Sequence, residues 1–217
     1  MSGLELIVIR HGETQWNREG RIQGWQDQPL TLEGVRQARA VAEALKPAID
    51  PSGRMAFWMS PLPRAVQTAS LLADAWNLPF RAFRPDPALR EMGFGRWEGL
   101  TRDEIGNADP DGWKRYRADA WSVAAGGGES RAVVEDRLRL FLSKLQEGRP
   151  HVLVTHSVCL HVLRRIFSGV GPADALAYSA AQTTAFRLCP GRETPIAPTA
   201  EALLRFGCRS PGTMAAL

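Results

Sequence analysis

The sequence Leu4-Glu-Leu-Ile-Val-Ile9, followed directly by Arg10-His11-Gly12, decides how the rest of this chain is interpreted. A short apolar run rich in β-branched residues predicts a buried β-strand. Gly12 interrupts the pattern, so the strand delivers Arg10 and His11 to the point where it ends. Residues 12–30 are polar and form a predicted long loop, and loops of that length in compact domains usually have a function.

Segments with strand and helix periodicity alternate along the rest of the chain. Predicted strands cover residues 4–9, 55–59, 80–83, 151–155, 183–188 and 202–206. Predicted helices run from about 31 to 46, 64 to 76, 129 to 146 and 156 to 167, and Thr31 is the expected N-cap of the first. This alternation predicts an α/β fold, a three-layer α/β/α sandwich with a mostly parallel central sheet.

The region at about 92–128 differs in character from its surroundings. It is rich in Gly, Trp, Arg and Asp, and its apolar residues show only weak periodicity. We predict a lid insertion here, in which one wall of a pocket is formed by a tryptophan out of Trp97, Trp113 and Trp121. The whole chain, residues 1–217, is predicted to form one domain with a loose C-terminal tail at about 210–217.

Composition excludes several classes of protein. The chain has 217 residues, of which 44% are hydrophobic and 23% charged, which argues against wholesale disorder. A net charge of +4 suits the binding of small anions and is too diffuse to indicate nucleic acid. The three cysteines include no CxxC pair, which argues against a disulfide framework and favours a cytoplasmic location. No apolar run reaches membrane-spanning length, so no membrane partner is expected.

Two of the predicted strands end in histidine. His11 follows the first strand, His156 follows the strand at 151–155, and Arg64 comes after the turn that ends the strand at 55–59. Because ligand sites of open α/β sheets lie beyond the carboxyl ends of the strands, we expect these side chains and Arg10 to meet at one edge. A single histidine after a strand often does no more than cap a loop, but its joint occurrence with two arginines favours a site.

Two arginines beside two histidines have the chemistry of a phosphoryl pocket. Guanidinium groups match phosphate oxygens in bidentate fashion. An imidazole can attack phosphorus and carry the phosphoryl group covalently, while a second imidazole donates to the equatorial oxygens of the transition state. The leaving oxygen needs a proton, which Glu91 in a glycine-rich loop is placed to supply.

The sequence motifs that contain these residues resemble those of a known family. Arg10-His11-Gly12-Glu13-Thr14 resembles the signature of the histidine phosphatase superfamily, also called phosphoglycerate mutase-like, and the likeness is to its phosphatase branch. Further blocks resemble the family in the same order along the chain, at 16–17, 20–24, 27–31, 34–38, 60–69, 89–99 and 128–130. The resemblance therefore spans nearly the whole chain and implies the fold and chemistry of that family.

The resemblance implies a role for individual residues. His11 would be the nucleophile and Glu91 the proton donor, and the phosphoryl oxygens would be bound by Arg10, Arg64, His156 and Asn17. Gln23 and Gly24 lie where the substrate-contacting loop of the family runs. The family phosphatases need no metal ion and no organic cofactor. Ser157 departs from the family pattern, since a glycine usually follows the second histidine, and Gln182 stands where an asparagine is expected.

Three functions remain open at this stage. The leading one is a phosphomonoester hydrolase that acts on a small phosphorylated metabolite through a phosphohistidine. The alternatives are a cofactor-dependent phosphoglycerate mutase, for which the segment at 91–128 looks short, and a non-catalytic phosphate-binding module. The expected partner is the small phosphorylated substrate, with no nucleic acid, and the protein is expected to be a monomer or a homodimer.

Three other residues are predicted to be structural. Cys159 is expected to be a small buried hydrophobe, and His151 a surface residue at the start of a strand. His161 follows His156 by five residues, a spacing that does not place both on one helical face and so argues against a zinc pair.

Overall fold

Six strands form one mixed sheet in the computed structural model, which describes residues 3–178 and 181–209. In chain order they are β1 (Leu6–Arg10), β2 (Ala56–Met59), β3 (Phe83–Pro85), β4 (His151–Thr155), β5 (Ala185–Cys189) and β6 (Arg192–Ile196). Their order across the sheet is β3-β2-β4-β1-β5-β6. The first four strands pair in parallel, β5 runs antiparallel to β1, and β6 runs antiparallel to β5. The predicted, mostly parallel α/β sheet is confirmed.

The side-chain alternation of β1 assigns the helices to two layers. Leu6 and Val8 belong to the hydrophobic cluster that packs against α6 (Arg131–Leu142) and α7 (Ser157–Ser168). Ile7 and Ile9 point to the opposite face, where α2 (Leu32–Leu45) and α3 (Pro63–Ala75) complete a second cluster. Because these four residues of β1 are all fully or almost fully buried, the sequence of the central strand is a continuous apolar run rather than an alternating one. The sheet is thus the middle of three layers.

Five shorter helices complete the described part of the chain. They are α1 (Gln15–Glu19), α4 (Arg102–Ala108), α5 (Pro110–Ala118), α8 (Pro172–Leu176) and α9 (Ala200–Arg205). Helices α4 and α5 lie within the predicted lid insertion, where Trp97, Trp113 and Tyr116 pack ring against ring with centroids 5.4 to 5.8 Å apart. The prediction of a single domain with a lid remains a prediction, and the predicted tail at 210–217 lies outside the described residues.

The C-terminal part departs most from the sequence prediction. The strand predicted at 202–206 is wrong: the segment is helix α9, whose first turn is capped by Thr199 accepting from the Ala202 amide. The strand β6, which pairs with β5, was not predicted. The strand predicted at 80–83 is also shifted, because residues Phe80–Ala82 form a 3-10 turn and β3 begins at Phe83.

Two structural predictions for single residues have opposite outcomes. Cys159 is fully buried, as expected. His151 is buried rather than exposed: its Nε2 donates to the Gln146 carbonyl over 3.0 Å, and its Nδ1 accepts from Trp58 Nε1 over 3.2 Å. Both ring nitrogens are satisfied, so His151 is a hydrogen-bonded core residue. Among the helices of the described residues, none has the length and apolar character to span a bilayer.

Candidate active site

The two predicted site histidines face each other at the carboxyl edge of the sheet. His11 follows β1 and His156 follows β4, and these parallel neighbours pair in register with Arg10 opposite Thr155. The ring centroids of His11 and His156 are 5.1 Å apart at an interplanar angle of 60°. Both side chains are buried, at 2% and 0% exposure. The register of β1 and β4 therefore brings His11 and His156 together, as the sequence predicted.

Hydrogen bonds fix the protonation pattern of the His11 ring. Its Nδ1 lies 2.8 Å from the Gly12 carbonyl, which can only accept, so Nδ1 carries the hydrogen. Arg64 Nε donates to His11 Nε2 over 3.3 Å. Burial, followed by the charges of Arg64 and Arg10, holds the pKa of His11 well below its usual range. The ring is therefore neutral, with its lone pair on Nε2.

His156 is anchored by Ser60, a residue that was not predicted as part of the site from the sequence. Its Nε2 is 2.7 Å from the hydroxyl oxygen of Ser60, which follows β2. Its Nδ1 is buried and has no hydrogen-bond partner among the described residues. Burial and the charge of Arg64 keep the pKa of His156 well below its usual range, so this imidazole is also neutral.

Arg64 is held rigidly by the loop that precedes α2. Its guanidinium donates to the carbonyls of Gly24 and Gln26 over 2.8 and 2.9 Å, and to Asp27 Oδ1 over 3.2 Å. Burial lowers the pKa of Arg64, and the negative charges of Glu91 and Asp27 oppose that shift. One hydrogen of Nη2 is left for an anion, because the other four N–H groups point to protein acceptors.

Arg10 and Glu91 contribute opposite charges to the lining of the cavity that also contains His11. Burial lowers the pKa of Arg10 to about 10, while Glu91 raises it, so Arg10 remains a cation at neutral pH. Glu91 Oε1 accepts from the backbone amides of Met92, over 2.9 Å, and of Val158 in the first turn of α7, over 3.2 Å. These bonds place the carboxyl group of Glu91 in the wall of the same cavity that His11 lines.

Asn17 is oriented from two sides. Its Oδ1 accepts from the Thr14 amide over 3.2 Å, as part of the capping box of α1. Gln182, which stands where an asparagine was expected, donates from its Nε2 to the same oxygen over 2.9 Å. Because the oxygen is occupied twice, the amide nitrogen of Asn17 is left to donate into the cavity. Gln23 lies alongside and donates to Thr14 Oγ1 over 2.7 Å.

These side chains surround one cavity of about 290 Å³. Its lining includes eight of the nine sequence-predicted site residues: Arg10, His11, Asn17, Gln23, Gly24, Arg64, Glu91 and Ser157. His156 is the exception, since it supports the site from behind. Of the three lid tryptophans considered, Trp113 lines the cavity, whereas Trp97 and Trp121 are buried elsewhere.

Arg131 and Tyr116 are buried in the cavity wall and were not predicted as site residues from the sequence. Arg131 opens α6 and Tyr116 lies on α5, and no strand-end pattern marks either position. Within residues 3–178 and 181–209, no three His, Cys, Asp or Glu side chains are grouped so that they could hold a metal ion.

An α/β sheet that carries paired imidazoles and guanidinium groups at its carboxyl edge defines a class of proteins that handle phosphoryl groups. The chain belongs to the histidine phosphatase superfamily (branch 1), whose sequence profile matches residues 6–197. Members of this superfamily include phosphatases and mutases.

Three relatives illustrate the range of similarity. A probable phosphoglycerate mutase of Enterobacter sp. strain 638 is 37% identical over 176 residues, covering 79% of this chain and 78% of the relative. Phosphoserine phosphatase 1 of Hydrogenobacter thermophilus is 31% identical over 171 residues, covering 77% of both. The structure of a mycobacterial glucosyl-3-phosphoglycerate phosphatase in complex with VO3 has a TM-score of 0.74 and 30% identity, and covers 89% of this chain and 98% of the other.

Proposed function

We propose that this protein is a phosphomonoester hydrolase that acts on a small phosphorylated metabolite through a covalent phosphohistidine at His11. The observation that carries the proposal is the state of the His11 ring. Nδ1 holds its hydrogen on the Gly12 carbonyl, the ring is neutral, and the Nε2 lone pair lies beside the guanidinium of Arg64. A neutral imidazole has an unprotonated nitrogen that can attack phosphorus. In His11 this nitrogen is Nε2, whose hydrogen bond from Arg64 Nε an incoming phosphoryl group must replace.

The proposed reaction has two displacements. His11 Nε2 attacks the phosphorus atom, the bond from phosphorus to the ester oxygen breaks, and Glu91, which this step requires to be protonated when the ester is bound, gives its proton to the departing oxygen. Water then attacks the phosphohistidine, Glu91 takes a proton from that water, and the N–P bond breaks to release inorganic phosphate and neutral His11. Arg10, Arg64 and Asn17 donate to the equatorial oxygens, where charge is concentrated in the transition state. His156 backs the His11 ring, and its Nδ1 has no protein partner among the described residues.

A second candidate, phosphoglycerate mutase activity, is favoured by the probable phosphoglycerate mutase that is 37% identical to this chain. A mutase would use the same phosphohistidine but return the phosphoryl group to a second hydroxyl of the substrate instead of to water. The two functions differ in their products. A mutase requires priming by a bisphosphoglycerate and releases no inorganic phosphate in stoichiometric amounts, whereas the proposed hydrolase releases one phosphate per ester.

The decisive experiment compares the wild type with His11→Ala on p-nitrophenyl phosphate in excess EDTA. We expect the wild type to release phosphate and the variant to lose at least about 10³-fold in turnover, because no other side chain takes over the nucleophile. Turnover should survive EDTA, since the proposed chemistry uses guanidinium groups as its cations. Undiminished activity of the variant would refute the mechanism, and loss in EDTA would refute its metal independence. No turnover by the wild type, with bound phosphate detected by calorimetry, would favour a binding module.

A further inference from the structure

The cavity contains more positive charge than one phosphoryl group requires. Six arginines line it, at positions 10, 21, 64, 102, 117 and 131, and Glu91 is the single carboxylate in the described lining. Arg10 and Arg64 lie beside His11 and suffice for the phosphoryl oxygens. Arg21 is paired with Glu104 over 2.6 Å. Arg131 is a buried cation of the wall whose charge neither the fold nor the proposed chemistry explains.

The hydrogen bonds of Arg131 to other described residues engage only one nitrogen of its guanidinium. The side chain is only 4% exposed. Its hydrogen bonds to other described residues both start at Nη1, which donates to the Tyr116 hydroxyl oxygen and, over 2.7 Å, to the Ala120 carbonyl. Its Nε is buried without a hydrogen-bond partner among the described residues. The Nε–Nη2 edge is the fork that binds a carboxylate or a phosphate with two parallel hydrogen bonds.

No carboxylate of the described residues forms an ion pair with Arg131, although a buried charge without a counter-charge is costly. Tyr116 supplies a second donor at the same place. Its oxygen accepts from Arg131, so its own hydroxyl hydrogen is left to donate, and its ring lines the cavity in a stack with Trp113 at a centroid distance of 5.8 Å. An anion at this point would receive hydrogen bonds from both residues.

We propose that Arg131 and Tyr116 form a second anion subsite of the cavity, and that the substrate is a phosphomonoester carrying a second negatively charged group. The inference rests on the proposed function, because it assumes that the phosphoryl group occupies the site around His11. The charge of Arg131, which has no counter-ion in the protein part described, is then neutralised by the substrate. The cavity volume of about 290 Å³ limits the substrate to a small molecule.

The test uses pairs of esters that differ by one anionic group. O-phosphoserine is compared with phosphoethanolamine, 3-phosphoglycerate with 2-hydroxyethyl phosphate, and 1,3-propanediol bisphosphate with 3-hydroxypropyl phosphate. The first two pairs test a carboxylate and the third tests a second phosphoryl group. We expect the wild type to prefer the anionic member of at least one pair by about 10- to 100-fold in kcat/KM, the range of a charge-assisted hydrogen bond.

Arg131→Met should remove this preference by lowering kcat/KM for the anionic ester alone, with less than about a twofold change for its partner. Arg131→Lys should keep part of the preference, since it retains the charge but not the fork. Tyr116→Phe provides a second variant should Arg131→Met not fold, and should lose several-fold on the anionic ester only. Arg115→Met is the control, because Arg115 lies beside Tyr116 on helix α5 but outside the cavity lining.

The outcomes separate the subsite from the proposed function. No preference in any pair, or equal losses on both members in Arg131→Met, would overturn the subsite and indicate that Arg131 only ties α5 to α6. Calorimetric Kd values for the same esters on the His11→Ala protein give the comparison without turnover. A preference in binding without any hydrolysis by the wild type would overturn the hydrolase proposal and leave the subsite standing.

Discussion

The two carboxyl oxygens of Glu91 are not equivalent. Oε1 accepts from the amides of Met92 and Val158, whereas Oε2 lies 3.5 Å from the Val158 nitrogen, at the limit of a hydrogen bond. The carboxyl group is thus held by one oxygen, and the other is free to exchange a proton with a group in the cavity. This is the arrangement that a general acid of fixed orientation requires.

Glu91→Gln should lower kcat/KM by different factors for esters with different leaving groups. The amide keeps the shape of the side chain but transfers no proton, so we expect kcat/KM for an alkyl phosphate to fall by about 10²- to 10³-fold. For p-nitrophenyl phosphate, whose leaving group needs no proton, the loss should stay below about tenfold. The ratio of kcat/KM for the two esters is the measurement. Equal losses on both would mean that Glu91 supports the site without acting as the acid.

Individual site residues could be predicted from the sequence only where a local pattern, such as the end of a predicted strand, identifies them. Arg10 and His11 follow a strand directly, and the carboxyl edge of a parallel sheet is where such residues meet. Ser60 and Gln182 act through bonds to His156 and Asn17 that join positions 96 and 165 residues apart. Because contacts over such sequence separations form only in the packed fold, no local sequence pattern predicts them.

The segments around the cavity are held together by the carboxylate of Glu98. Its Oε1 accepts from the amides of Trp25 and Phe94, each over 3.0 Å, and its Oε2 from the amide of Gln26 over 3.2 Å. The loop that supplies acceptors to Arg64 is thereby joined to the segment that contains Glu91. Gly24 passes directly beneath Glu98, where a Cβ atom would collide with the carboxylate.

Gly24→Ala should therefore destabilise the protein more than Gly20→Ala does. Both glycines have positive φ, at 55° and 69°, so each alanine costs about 1 kcal/mol of backbone strain. A methyl group added at Gly20 would have no atom within 4 Å, whereas one added at Gly24 displaces Glu98 from three amides. We expect an extra loss of about 2 kcal/mol in the free energy of unfolding, measured by urea denaturation. Equal losses would mean that Glu98 moves aside freely.

Most elements with a clear hydrophobic period or cap were predicted well, but the short segment at 202–206 was not. Strand β4 was predicted with its observed bounds, and Thr31 caps α2 as expected, by accepting from the Gly34 amide. Residues 202–206 contain leucines and a phenylalanine that suggested a strand, yet they form α9, in which Leu204 is 79% exposed. For so short a segment, the cap at Thr199 outweighs the apolar composition.

The molecule as a whole buries neutral histidines around its site. Burial lowers the pKa of His11 and His156 well below the usual range and that of His161 to about 3. In the unfolded chain each histidine binds a proton below about pH 6.5. The unfolded state therefore binds more protons than the native state as the pH falls, and the stability present above pH 6.5 is progressively lost.

His161→Leu should reduce this acid sensitivity. Between pH 7 and pH 5 the unfolded state takes up a proton at His161 that the native state does not, which costs the wild type about 2 kcal/mol of unfolding free energy. Leucine removes that cost, and both ring nitrogens of His161 are without hydrogen-bond partners among the described residues. Urea denaturation of both proteins at the two pH values is the measurement. An identical loss in both would show that His161 is protonated in the native state or accessible to water.

The outer strands of the sheet each contain a proline. Strand β3 at one edge has only three residues and ends at Pro85, and β6 at the other edge contains Pro195 after the charged and polar residues Arg192, Glu193 and Thr194. Proline has no backbone N–H to offer to an added strand, and very short or charged edges resist edge-to-edge pairing. Growth of the sheet into fibrillar aggregates is therefore discouraged at both ends, even while the chain is only partly folded.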